Sequence, residues 1–128
     1  MPVVGMNHFT VLTDSLERTL GFYVGLLGLS EGPRPPLGFP GAWLYADGHA
    51  VLHVIAGRPL PLEHRGVLDH MAFTATGLGE VVARLRAARI DFDLKRQSET
   101  NAWQLFLFDP NGARVELDFE ASEPDPNA

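Results

Sequence analysis

The sequence contains no cysteine. That absence excludes a disulfide framework, a thiolate metal site and a cysteine nucleophile together. Any bound metal must therefore be held by histidine and carboxylate. Basic residues are the minority, with 10 Lys+Arg against 16 Asp+Glu and a formal charge of −6. With no basic stripe, nucleic acid and anionic membranes are poor partners, because phosphate contacts need clustered Lys and Arg. No apolar run approaches the ~20 residues of a membrane span. Met1-Pro2-Val3-Val4-Gly5 lacks the charged and apolar regions of a secretory signal. The expected location is cytoplasmic. No phosphate-cradling glycine loop and no Ser/His/Asp nucleophile signature is found. What remains is 128 residues with 45% hydrophobic and 20% charged side chains. That suits one domain with a core that needs no staples.

Along the chain, Met6–Thr13 is rich in β-branched and aromatic residues and predicts a strand. Asp14 or Ser15 is placed to cap a helix carrying Leu16, Leu20, Phe22, Tyr23, Leu26 and Leu27 at helical spacing, with Gly28 as its stop. A loop rich in proline and glycine follows. Residues 42–46 and 50–55 predict two strands joined by Asp47-Gly48. Residues 58–66 form a linker. Then the order restarts: a strand over 68–74, a helix over 78–88, and strands over 90–94, 103–108 and 113–119, with the turn Asp109-Pro110-Asn111-Gly112 before the last. The acidic, proline-bearing tail, 121–128, is expected to be mobile. Module 1 covers about residues 5–57 and module 2 about residues 67–120.

The two halves match residue by residue, which is the informative feature of the chain. His8-Phe9-Thr10 stands to Leu16 as His70-Met71-Ala72 stands to Leu78. Ala42-Trp43 corresponds to Ala102-Trp103, and Asp47-Gly48 to Asn111-Gly112. Residues 50–54 then match 113–117, which pairs His53 with Glu116. Two copies of one unit commonly pack about a pseudo-two-fold axis, so equivalent residues face each other. Three imidazoles and one carboxylate, all read as lying within strands, would then converge as metal ligands: His8, His53, His70 and Glu116. A lone strand histidine is ordinarily a half-buried hydrogen-bonding residue. The coincidence of two positions in a repeat separates these from His49 and His64, which read as surface residues of a turn and a loop.

Asn7-His8-Phe9-Thr10, Gly21-Phe22-Tyr23 with Leu27-Gly28-Leu29, Asp69-His70-Met71-Ala72-Phe73, and Asp109-Pro110-Asn111-Gly112 with Val115-Glu116-Leu117 resemble the vicinal oxygen chelate superfamily. Its members include glyoxalase I, extradiol dioxygenases, and fosfomycin and bleomycin resistance proteins. The resemblance covers about residues 5–120. It implies an α+β fold of two βαβββ modules in a curled mixed sheet around a metal-binding cleft. It implies a divalent ion, Zn, Fe, Ni, Mn or Co, on the four residues named, and chelation of vicinal substrate oxygens. It also implies a lyase or isomerase in which Glu116 or His53 moves a proton, and a homodimer. In glyoxalase I the position matching His53 is a carboxylate, so this chain departs from that enzyme there. An iron(II) dioxygenase is one alternative, with His8, His70 and Glu116 as its triad, although Phe106 and Phe108 stand where such enzymes carry a tyrosine. A non-catalytic drug-binding protein similar to the bleomycin resistance members is another.

Trp43, Tyr45, Trp103 and Phe106 flank the expected ligands and are the candidate aromatic wall for the small-molecule substrate. Trp43 and Trp103 are read as equivalent repeat positions. Strand alternation puts Trp43 with Tyr45, and Gln104 with Phe106. Arg34 is the candidate for a substrate carboxylate or phosphate.

Overall fold

The computed structural model describes residues 2–128. The chain divides into two compact units between Leu62 and Glu63. Each is a four-stranded mixed sheet with helical structure, and together they make an α+β protein of eight strands. No described helix is long and apolar enough to cross a membrane.

In the first unit, β1 (Phe9–Thr13) leads into α1 (Leu16–Leu20). Ser15 caps α1, its Oγ accepting from Arg18 N–H at 3.3 Å. The Thr13 hydroxyl accepts from Ser15 N–H at 2.9 Å and from the Thr19 hydroxyl at 2.8 Å, which ties strand to helix. The helix then widens into a π-helical stretch, Gly21–Leu26, where the buried aromatics Phe22 and Tyr23 are adjacent. Gly28, at φ 85°, ends it in the left-handed conformation that glycine adopts without strain. Strands β2 (Ser30–Gly32), β3 (Gly41–Ala46) and β4 (His49–Ala56) complete the unit in the order β1-β4-β3-β2. Strand β1 runs parallel to β4, and the other pairs are antiparallel. Asp47 and Gly48, at φ 49° and 78°, form the tight hairpin expected of that dipeptide. Val11, Ala42, Leu44, Leu52 and Val54 alternate onto the buried face.

The second unit repeats the plan with β5 (Met71–Thr74), α2 (Leu78–Ala87), β6 (Asp93–Arg96), β7 (Trp103–Phe108) and β8 (Arg114–Phe119), in the order β5-β8-β7-β6. Again β5 is parallel to β8 and the rest are antiparallel. Helix α2 buries Leu78, Val81, Val82 and Leu85, and the sheet buries Trp103, Leu105, Leu107, Val115, Leu117 and Phe119.

One expectation needs correction. The strand placed at 90–94 begins at Asp93, because Ile90 N–H closes α2 by donating to Leu85 C=O at 2.9 Å, with Arg89 at φ 56°. The tail expected to be mobile makes hydrogen bonds to the second unit. Helix α2 starts at Gly77 with no side-chain cap of its own, and the Glu123 carboxylate accepts from Gly77 N–H (2.8 Å) and Leu78 N–H (3.0 Å) instead. Trp103 Nε1–H donates to Glu123 C=O at 2.9 Å, and Arg96 reaches Ala121 C=O at 2.9 Å.

Candidate metal centre

Each unit brings together its own pair of the four expected ligands. In the second, His70 Nε2 lies 2.9 Å from Glu116 Oε1. In the first, the His8 and His53 rings stack with centroids 3.7 Å apart, and Trp43 stacks against His53 at 4.1 Å. Since β4 lies between β1 and β3, His53 is held between the other two rings. His53 and Glu116 sit within β4 and β8. His8 and His70 do not lie in strands: each is the residue immediately before its strand. Among the described residues, no group of three or more His, Cys, Asp or Glu side chains is gathered closely enough to hold a metal ion.

Both loop histidines share a feature that single-residue matching overlooked. His8 Nδ1 lies 2.7 Å from Asn7 Oδ1, and His70 Nδ1 lies 2.7 Å from Asp69 Oδ2. An oxygen that accepts from Nδ1–H leaves Nε2 as the nitrogen presented outward, which is how metal-binding imidazoles are oriented. Asp69 is held in turn by Arg114 Nη1 at 2.9 Å. These hydrogen bonds, from His70 first and then Arg114, keep the Asp69 carboxyl below its ordinary pKa. The repeated Asx-His dipeptide was the available signal.

Asp118 was also missed. It lies two positions beyond Glu116 on β8, on the face opposite Leu117. Burial raises its pKa to about 6, assisted by its hydrogen bond with Glu116 and by the negative charge of Glu116. Glu116 Oε2 also receives Gln104 Nε2–H at 3.2 Å. In the first unit, burial lowers the His53 pKa, with the charges of His8 and Arg34 adding to the effect, so the ring is favoured in its neutral, lone-pair-bearing form.

Strand register corrects the repeat alignment. Trp43 pairs with His53 across β3 and β4, and Phe106 pairs with Glu116 across β7 and β8. Phe106 is therefore the equivalent of Trp43, and it packs edge-on to His70 at 5.8 Å. Trp103 pairs with Phe119 and is buried on the other face, only 6% exposed. The similar Ala-Trp dipeptides hid a shift along the strand. Trp43, Tyr45 and Phe106 are half-buried, and the Tyr45 hydroxyl is occupied by Pro33 C=O at 2.5 Å. His49 is the exposed first residue of β4, and His64 is exposed beside Gly112.

The donor set suits a borderline divalent ion: imidazole nitrogen and carboxylate oxygen, with no soft sulfur. Two adjacent ligands with bonds of ~2.1 Å at right angles are about 3 Å apart, the His70–Glu116 separation. The His8 and His53 rings are stacked with their planes 14° apart, and His8 stands in the irregular segment before β1.

The family model of the Glyoxalase/Bleomycin resistance protein/Dioxygenase superfamily matches residues 5–117, and the chain belongs to that superfamily. It is 30% identical to Glyoxylase I 4 of Arabidopsis thaliana, over 90% of this chain and 70% of that protein. Two solved structures show the same fold. A glyoxalase family protein from Bacillus anthracis aligns with TM-score 0.75 and 20% identity, covering 92% of this chain and 96% of that one. A fosfomycin resistance protein from Listeria monocytogenes, complexed with Mn(II) and 1S,2S-dihydroxypropylphosphonic acid, aligns with TM-score 0.74 and 16% identity over 92% and 93%.

Proposed function

We propose that this protein is a metal-dependent enzyme of glyoxalase type, a lyase or isomerase that binds a small substrate through two adjacent oxygens. His8, His53, His70 and Glu116 are the residues assigned to hold the ion. The observation that carries the reading is His70 Nε2 at 2.9 Å from Glu116 Oε1, at repeat positions equivalent to the His8–His53 pair. A divalent ion bound there would supply Lewis-acid charge against the negative charge that develops on a substrate oxygen. The chain supplies the rest. Asn7 and Asp69 orient the two loop imidazoles. Glu116 is the residue assigned to proton transfer, and Asp118, whose carboxyl is pushed up to about 6, hydrogen-bonds it from two positions along β8. His53, favoured neutral, is the second base candidate. Trp43 and Phe106 present aromatic faces beside the two pairs. The Mn(II) complex of the fosfomycin resistance relative supports the metal assignment, and the Arabidopsis relative supports the glyoxalase type.

We also infer a homodimer, on the exposed apolar side chains of Val3, Val4 and Met6 and of Leu62, Val67 and Leu68, which a second copy would cover.

The test is elemental analysis of protein purified without added metal or affinity tag, beside His70→Ala. Near-stoichiometric divalent metal in the wild type, lost in the variant, is expected. Its identity then selects the assay: iron directs it to catechols, and other ions to isomerase and lyase substrates. No metal and no uptake on titration would overturn the enzyme reading and leave small-molecule binding without turnover.

A further inference from the structure

Two arginines in the first unit stand apart from the charge pattern of the rest of the chain. The Arg34 guanidinium lies 5.1 Å from the centroid of the Phe39 ring, and that of Arg58 lies 5.8 Å from the same centroid. Among the described residues, neither has a carboxylate within ion-pair distance. In a protein with 16 acidic side chains against 10 basic ones, two cations share one aromatic ring with no counter-charge. Both gain cation–π attraction from Phe39, but they repel each other.

Arg34 is also underused. It has five N–H donors, and among the described residues only one is accepted, from Nη2 to Phe39 C=O at 2.8 Å. Its Nε is buried without a partner, an arrangement folded proteins rarely tolerate without cause. The side chain is nevertheless held in place. It lies so near β3 at Gly41 that a Cβ there would come within 3.1 Å of Nη2 and 2.2 Å of Val54 C=O. A neighbouring pocket of about 120 Å³ is lined by Arg34, Phe39, Trp43, His53 and Ile55. That is roughly the space of four waters at ~30 Å³ each, enough for one small oxyanion.

We propose that Arg34, braced on Phe39, is the anchor of an oxyanion-binding subsite beside His53 and Trp43, with Arg58 on the same ring as a nearby second cation outside the pocket wall, so that the substrate carries a carboxylate, phosphonate or phosphate group. The Arg34 guanidinium fork matches the paired oxygens of such a group, and Arg58 adds positive potential from the same ring. The link to the substrate rests on the function proposed above. The subsite itself does not.

Titration of metal-free protein, dialysed free of chelator, with inorganic phosphate and separately with acetate tests this by ¹H–¹⁵N NMR. The two indole signals serve as probe and control, since Trp43 lines the pocket and Trp103 belongs to the other unit. Phosphate is expected to move the Trp43 indole and the Phe39, Gly41 and His53 amides in a saturable way, leaving Trp103 still. Acetate acting at the same signals identifies a site for oxyanions generally, and its failure beside a phosphate response narrows the class to phosphate and phosphonate. Arg34→Gln is expected to weaken binding at least fivefold and Arg58→Gln two- to threefold. Arg34→Lys keeps the charge without the fork and is expected to fall between wild type and Arg34→Gln; it carries the test if Arg34→Gln loses its dispersed spectrum. No response to either anion, a titration unchanged in a folded Arg34 variant, or equal shifts at both indoles overturns the proposal. No metal enters the measurement. Failure of metal binding therefore leaves this result standing, and a metal-loaded protein blind to both anions loses this inference alone.

Discussion

His70 Nε2 and Glu116 Oε1 face each other at 2.9 Å, while His70 Nδ1 meets the Asp69 carboxylate at 2.7 Å. Both ring nitrogens thus address oxygen acceptors, and the Nε2–Glu116 contact is the hydrogen bond whose proton a bound cation would displace. A cation that takes that place expels the proton. Titrating Zn(II) or Mn(II) into weakly buffered metal-free protein should release about one proton per ion, because metal ligands bind deprotonated. A pH indicator reads it, and uptake without proton release would show that the ion lies elsewhere.

On the proposed metal assignment, Asp69 and Asn7 would act through the histidines they hydrogen-bond. Asp69→Ala and Asn7→Ala are each expected to weaken divalent-ion affinity roughly 10- to 100-fold, the usual cost of losing a group that orients an imidazole. Competition with a chromophoric chelator measures it, with the circular dichroism spectrum as the check on folding. Unaltered affinity in both variants would remove these residues from the site.

Asp118 gives a pH dependence of stability. Its folded pKa is about 6 against an ordinary 3.8, so the folded state binds the proton more tightly than the unfolded state. Its effect is neutral below about pH 4, and stability falls as pH rises from there toward 6. Asp118→Asn should therefore raise the melting temperature of the metal-free protein at pH 7.5, and the gain should vanish at pH 4. A gain equal at both pH values would point to a cause other than this carboxyl.

Glu123 substitutes for a missing cap. Glu123→Ala leaves Gly77 N–H and Leu78 N–H without their acceptor and is expected to cost about 1 kcal/mol, within the range of helix-cap losses. The urea midpoint should drop with an unchanged slope. No change would mean that the tail is not fastened in solution.

The two tryptophans should separate stability from binding. Trp103→Ala removes a buried ring and should cost about 3–5 kcal/mol. Trp43→Ala, at a half-buried position stacked on His53, should cost clearly less and should weaken small-molecule binding instead. Equal losses from the two substitutions would contradict the strand register.

Much of the plan follows from local patterns. The β1–α1 junction at Ser15, the Asp47-Gly48 hairpin and the limits of β7 all follow from capping, turn and alternation chemistry, which operate over a few residues. The repeat placed His8 with His70 and His53 with Glu116 because both modules carry the same strand order. The β6 boundary was misplaced because Ile90 alternates like a strand residue yet is used to close a helix. The tail's contacts were not legible in the sequence because Glu123 reaches a helix start more than forty residues before it.

By itself, then, the sequence determined the fold class, the two-module repeat and the chemical type of the side chains proposed to hold a metal. Those depend on residue identity at short, repeated spacings. Only the tertiary structure decided that Phe106 rather than Trp103 is the partner of Trp43, that Asp118 leans on Glu116, and that Arg34 and Arg58 meet on Phe39. Each of these depends on which residues stand opposite one another across strands or loops, and a side-chain pattern with period two does not fix the offset between neighbouring strands.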